Sequence, residues 1–222
     1  MRRRAQPADR TSLPTGTWFG GYLGGRSGPV GPIAVPLESP VSDYPCFTMA
    51  TLVLDPYAYE LDALKERRRI SGLDRLDEVW EGVLHMVPAP NFGHASVGQQ
   101  LAEILGPLAR AAELIPTMQE FNLGDSVEDF RVPDGGLHRP GAGGTWLHTA
   151  ALVVEIVSPG DETWQKLPFY AAHEVDEMLI LDPEEQAVHW LGLSGDGEYV
   201  PIERSALIAL GPQELAELID WP

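Results

Sequence analysis

Residues Thr149–Ser158 read TAALVVEIVS, a continuous β-branched and aliphatic run ended by Ser158-Pro159-Gly160. A run of this length and composition between turn signals is a strand buried on at least one face. A second such run, Glu177–Leu181 (EMLIL), stops at Asp182-Pro183. Between them Asp161–His173 reads as a helix with acidic residues in its first turn, where the helix dipole favours them. Strand, helix and strand in that order call for an α/β layer with one mixed sheet.

The flanking segments fit such a layer. Glu78–Val87 (EVWEGVLHMV) predicts two short strands around a turn at Glu81-Gly82. Phe92–Leu114 places Val97, Leu101, Ile104, Leu105 and Leu108 at helical spacing, with Gly106-Pro107 expected to break or kink the helix. Asp55–Arg69 is also helix-like, with Leu61 and Leu64 on one face. Ile115–Leu123 and Asp129–His138 predict strands on either side of an acidic turn, although Gly135-Gly136 should loosen the second. Val188–Leu193 and Glu198–Ile202 predict a hairpin, and Pro212 starts a last short helix to Ile219.

Residues 1–48 are different. Gly16–Pro45 is dense in Gly and Pro and has neither helical nor strand period, so it breaks regular structure faster than it starts it. The segment predicts a disordered tail or an over-extended start, with the domain occupying 49–222 from Met49. Arg2-Arg3-Arg4 suggests an export signal, but no apolar stretch follows it. No run approaches the roughly 18 apolar residues of a membrane span. A soluble cytoplasmic protein is therefore expected. The lone Cys46 excludes an intramolecular disulfide and any Cys-x-x-Cys site.

Charge limits the function. Residues 49–222 hold 10 basic and 30 acidic side chains, a formal −20. Such a domain does not coat nucleic acid or anionic membrane by bulk attraction. Against that background Glu155 is an anomaly in the middle of Leu152-Val153-Val154-Glu155-Ile156-Val157. An unpaired buried carboxylate costs several kcal/mol, so it needs a metal, a cation or a proton. It either faces a cleft or belongs to a structural ion pair. Asp134, in Arg131-Val132-Pro133-Asp134, is a second acid at a strand position. Lys166, one of only two lysines with Lys65, follows Glu155 by eleven residues and could simply neutralise an embedded acid. Together the three suggest a hard-cation site: two carboxylates for Mg²⁺ (or Mn²⁺), with an ammonium to stabilise attacking water or developing phosphorane charge.

The order Pro133-Asp134, then Glu155 in an apolar strand, then a nearby lysine resembles the PD-(D/E)xK nuclease superfamily. More narrowly, EVWEGVLHMVPAP, then His94 opening a helix, then LVVEIVSPGDETWQKLPFYAAHEVDEMLILDP resemble the Uma-two family of restriction-endonuclease-like proteins. The likeness runs over roughly 76–195 and is densest in Val153–Pro183. It implies a restriction-endonuclease-like core, a central mixed β-sheet flanked by helices, and a metal-dependent endonuclease acting on DNA. It also implies Asp134 and Glu155 as metal ligands, the Ile156 carbonyl as a third, and Glu78 as an outer contact. Lys166 would stand in for the lysine that most of the superfamily carries two residues after the strand acid, where this chain has Val157. A homodimer would suit cleavage of both strands.

Other chemistries find less in the sequence. The six histidines form neither HxxxH nor HExxH, and GxGxxG, P-loop and GxSxG motifs are absent. Asp134 and Glu155 as a glycosidase pair would leave Lys166 without a role. His94 reads as a helix-start residue, with a supporting role at the site as the alternative. Phe169 and Tyr170 read as core. Arg131, Arg139, Arg110 and Lys166 are the cations expected near the site. The main non-enzymatic alternative is a catalytically silent nuclease fold that binds a protein partner and keeps its acids for structure.

Overall fold

The computed structural model describes residues 52–54, 59–160 and 162–222. The tail expected over 1–48, the domain start at Met49, the opening of the first helix from Asp55 and the acidic start of the third at Asp161 lie outside the described residues. In chain order the elements are β1 (Leu52–Leu54), α1 (Tyr59–Ser71), β2 (Glu78–Trp80), β3 (Val83–Met86), α2 (Phe92–Ala111), β4 (Ile115–Thr117), β5 (Asn122–Ser126) and β6 (Asp129–Arg131). There follow β7 (Gly135–His138), β8 (Trp146–Leu147), β9 (Leu152–Ile156), α3 (Leu167–Ala172), β10 (Glu177–Asp182), β11 (Ala187–Leu193), β12 (Tyr199–Pro201) and α4 (Pro212–Leu218).

The class is mixed α/β, as expected, and a second sheet accompanies the central one. The central sheet runs β12-β11-β10-β9-β7-β4, and the other runs β1-β3-β2-β6-β5-β8. β9 pairs parallel with β10, from Leu152 opposite Glu177 to Ile156 opposite Leu181. On its other edge β9 pairs antiparallel with β7. Such a strand is covered on both faces, which is why its sequence is apolar without alternation. Leu152, Val154 and Ile156 pack with Val97, Leu101, Leu105 and Ala109 of α2 and Leu215 of α4. Val153, on the opposite face, packs with Phe169 and Tyr170 of α3 and with Met178 and Ile180 of β10.

Two local expectations change. Helix α2 runs unbroken through Gly106-Pro107 to Ala111. Its buried stripe continues across the proline, from Leu101 and Leu105 to Ala109, and this packing outweighs the missing N–H. Gly135-Gly136 do not loosen the chain but open a fully buried strand. A Cβ on Gly136 would stand 2.8 Å from the Leu152 carbonyl oxygen and 3.1 Å from the Phe121 ring. A Cβ on Gly135 would stand 3.0 Å from the Thr117 carbonyl oxygen. The glycines therefore let β7 lie against its neighbours right after Asp134. The Glu81-Gly82 turn is as read, both residues having positive φ (49° and 84°), which right-twisted two-residue hairpins require.

Candidate active site

One cleft collects the residues singled out in the sequence: Glu78, Asp134, Glu155, Ile156 and Lys166 all line it, with His94, Glu120 and Glu162. Each arrives from a different element. Glu78 opens β2, Asp134 leads into β7, Glu155 is the penultimate residue of β9, and Lys166 ends the 3₁₀ turn Thr163–Lys166 that runs into α3. Because β-strand side chains alternate, Glu155 shares a face with Val153 and points toward α3.

Glu155 is 3% exposed and Glu78 is 1% exposed. The Lys166 ammonium bridges them, with Nζ 2.9 Å from Glu78 Oε1 and 3.1 and 3.2 Å from the two Glu155 oxygens. Tyr170 donates its hydroxyl to Glu155 Oε1 at 2.5 Å. Glu78 is held further by the Val132 N–H on Oε1 (2.8 Å) and the Trp80 indole on Oε2 (2.7 Å). Asp134 accepts the Ile156 N–H on Oδ2 at 2.7 Å, which locks it to the end of β9, while its Oδ1 lies 3.0 Å from His94 Nε2. The His94 Nδ1 is 3.3 Å from the Ser158 hydroxyl.

The electrostatics follow from burial and from the sign of the neighbours. Burial pushes the Glu155 carboxyl up to about 8; the Lys166 ammonium acts against that shift, and the Asp134 and Glu78 carboxylates add to it. For Lys166 burial disfavours the charge, but Glu155 and Glu78 outweigh it and hold the ammonium well above its ordinary range. The Tyr170 phenol is raised by burial and by the same two acids, so it stays a donor. Five acidic side chains (Glu78, Glu120, Asp134, Glu155 and Glu162) share the cleft lining with one ammonium. An all-oxygen donor set with surplus negative charge fits a hard divalent cation such as Mg²⁺ or Mn²⁺, which Asp134 and Glu155 could hold beside the Ile156 main chain.

Of the four cations expected near the site, only Lys166 lines the cleft. Arg131 is buried between the rings of Trp80 (4.5 Å) and Phe169 (3.9 Å), donating to the Val79 and Phe130 carbonyls and to Asp129. Arg139 pairs with Asp176, and Arg110 caps Gly106 within α2. Two further residues contribute more at the site than their sequence positions suggest. His94 is a helix-start residue, its N–H capped by the Asn91 side chain, but its ring orients Asp134. Tyr170 is core, as read, yet its hydroxyl ends on Glu155. Its spacing from Lys166, one helical turn, was the available signal.

The family described as "Uma2: Putative restriction endonuclease" matches residues 69–218. No curated protein matches the chain. Among solved structures, a putative nuclease belonging to DUF820 from Anabaena variabilis ATCC 29413 aligns with a TM-score of 0.50 and 16% identity. The alignment covers 64% of this chain and 90% of that one, a likeness of fold.

Proposed function

The chain belongs to the Uma2 family, and we propose that it is a metal-dependent endonuclease that hydrolyses phosphodiester bonds in DNA. The observation that carries the reading is the convergence of Asp134, Glu155 and Lys166, with Glu78 behind them, in one cleft. Structural ion pairs need no cleft and no second, partly exposed acid such as Asp134.

In this reading Asp134, Glu155 and the Ile156 carbonyl would hold a Mg²⁺ or Mn²⁺ ion, and Glu78 would support it from behind. When bound, such an ion supplies Lewis acidity to the phosphodiester and its attacking water. The chain's own residues prepare that chemistry. The Ile156 N–H and the His94 imidazole fix the rotamer of Asp134, and the Tyr170 hydroxyl fixes that of Glu155. Lys166 offers a permanent positive charge for the negative charge that grows on the phosphoryl oxygens. Its engagement by Glu78 and Glu155 keeps it charged and aimed. The surplus of carboxylates repels a phosphate backbone, so productive binding needs the cation first. A homodimer would supply two such clefts for two strands.

The same Lys166 contacts favour the silent-module reading, in which the acids only neutralise one another. Purified full-length protein incubated with supercoiled plasmid separates the two. Nicking that requires Mg²⁺ or Mn²⁺ and disappears in both Asp134→Asn and Glu155→Gln is the expected result, with Mn²⁺ binding lost in parallel. No nicking, together with Mn²⁺ binding that ignores both substitutions, would leave only the structural role.

A further inference from the structure

A second cluster lies outside the cleft. Asp125, His148 and His173 bring one ligating atom each to within 4.8 Å of one another. They come from three separate segments: β5, the residue after β8, and the residue that ends α3. His148 Nδ1 is 2.6 Å from Asp125 Oδ1, and His173 Nε2 is 3.9 Å from Asp125 Oδ2. The imidazole centroids are 5.3 Å apart.

The His173 ring is fixed. Its Nδ1 lies 2.9 Å from the Phe169 carbonyl, which can only accept, so Nδ1 carries the proton. The ring also lies over Phe169, with centroids 4.0 Å apart. In the neutral imidazole Nε2 then presents a lone pair toward a carboxylate oxygen that presents lone pairs too. At 3.9 Å they are not hydrogen-bonded. Two facing acceptors are resolved either by a proton on Nε2, which makes the contact an ion pair, or by a metal cation between them. An Nδ1–H to carbonyl bond is also how metal-binding histidines are commonly oriented.

We propose that Asp125, His148 and His173 bind a zinc-class transition-metal ion. Two imidazoles and one carboxylate suit Zn²⁺, whereas Mg²⁺ prefers oxygen alone. Bonds of about 2.0–2.2 Å in a tetrahedron set ligand atoms about 3.5 Å apart, so the 2.6 Å Asp125–His148 contact must open and the 3.9 Å His173 contact must close. Asp125 and His148 can reorient for this because their side chains are 69% and 61% exposed. Three protein ligands leave one position for water or an anion. Such an ion would clip the end of α3 to β5 and to the chain after β8. That helix carries Phe169, which lies under Arg131, and Tyr170, which holds Glu155. The site is independent of the nuclease reading.

The test is Zn²⁺ titration of chelator-stripped, untagged full-length protein in excess Mg²⁺, by calorimetry and by metal analysis after dialysis. One equivalent should bind to the parent and to Glu155→Gln. Binding should weaken at least about tenfold in His148→Ala and in Asp125→Ala. Both residues are exposed, so these variants should keep the parent's circular dichroism. Co²⁺ should give visible absorption in the parent that His148→Ala abolishes. Zn²⁺ should raise the melting temperature of the parent but not of the variants. Equal binding by parent and variants, or no binding by the parent, overturns the site.

Discussion

The two faces of β9 are built on opposite terms. Leu152, Val154 and Ile156 turn toward α2 and α4 and pack in an apolar cluster with Val97, Leu101, Leu105 and Leu215. Val153 and Glu155 turn toward α3, where Phe169 and Val153 share the layer with a carboxylate, an ammonium and a phenol. The first face is held by area and close packing, so its losses should be graded by volume. The second is held by a closed set of partners, each of which satisfies a polar or charged group that burial penalises. A polar set of this kind is stable complete and costly when one member is missing.

The largest expected effect is therefore on the polar face. Lys166→Met keeps the length of the side chain but leaves Glu155 and Glu78 buried without their cation, and should cost about 3–5 kcal/mol in urea unfolding. Leu152→Ala on the other face should cost about 2–5 kcal/mol through lost transfer energy and a cavity. The two should part company in function. Metal-dependent nicking per folded molecule should survive Leu152→Ala and vanish in Lys166→Met. Parent-like stability of Lys166→Met would break the comparison, because the ion pair would then contribute nothing.

A smaller substitution sharpens it. Tyr170→Phe keeps the ring in the apolar layer and removes only the donor to Glu155. Removing the donor leaves a buried acceptor one partner short, and the expected loss is about 1–3 kcal/mol. Mn²⁺ affinity should change with it, since the Glu155 rotamer loses its second restraint. A variant that loses stability but keeps Mn²⁺ affinity would confine Tyr170 to packing.

The sequence displayed these two faces unequally. β9 and β10 were legible because doubly covered strands must be apolar throughout, and Glu155 stood out for the same reason. Lys166 was legible through scarcity, as one of two lysines. The His94 and Tyr170 roles were hidden because their partners, Asp134 and Glu155, lie 40 and 15 positions away. The segments Ile115–Leu123 and Asp129–His138 each split into two short strands, a division that comes from pairing with β7, β8 and β9 and not from local pattern. The continuity of α2 through Pro107 likewise belongs to its packing. Gly135-Gly136 misled because their reason, a carbonyl and a ring within 3.1 Å of a missing Cβ, comes from another strand and a loop.

The smallest effect concerns pH and the strand beside β9. His138 follows Leu137 on β7, so it alternates to the opposite side from the α2 core, where its ring meets Phe121 edge-on at 4.8 Å. Its Nε2 lies 2.7 Å from the Thr117 hydroxyl. Burial holds the imidazole below its ordinary value of 6.5. The unfolded chain therefore binds more protons than the native one in this window. Stability from His138 is full above pH 6.5 and is lost as pH falls through the lower native value. Glu155 has the opposite sign. Its native value is raised from 4.5 to about 8, so its contribution is full below 4.5 and is lost as pH rises toward 8. Between pH 5 and 7 the two slopes oppose each other, and a melting curve of the parent alone would show only their difference. His138→Gln keeps a donor near Thr117 and cannot titrate. Melting temperatures of parent and variant across that range should converge toward acid if the neutral imidazole is what the fold requires. A constant offset would mean that His138 contributes shape and no proton linkage.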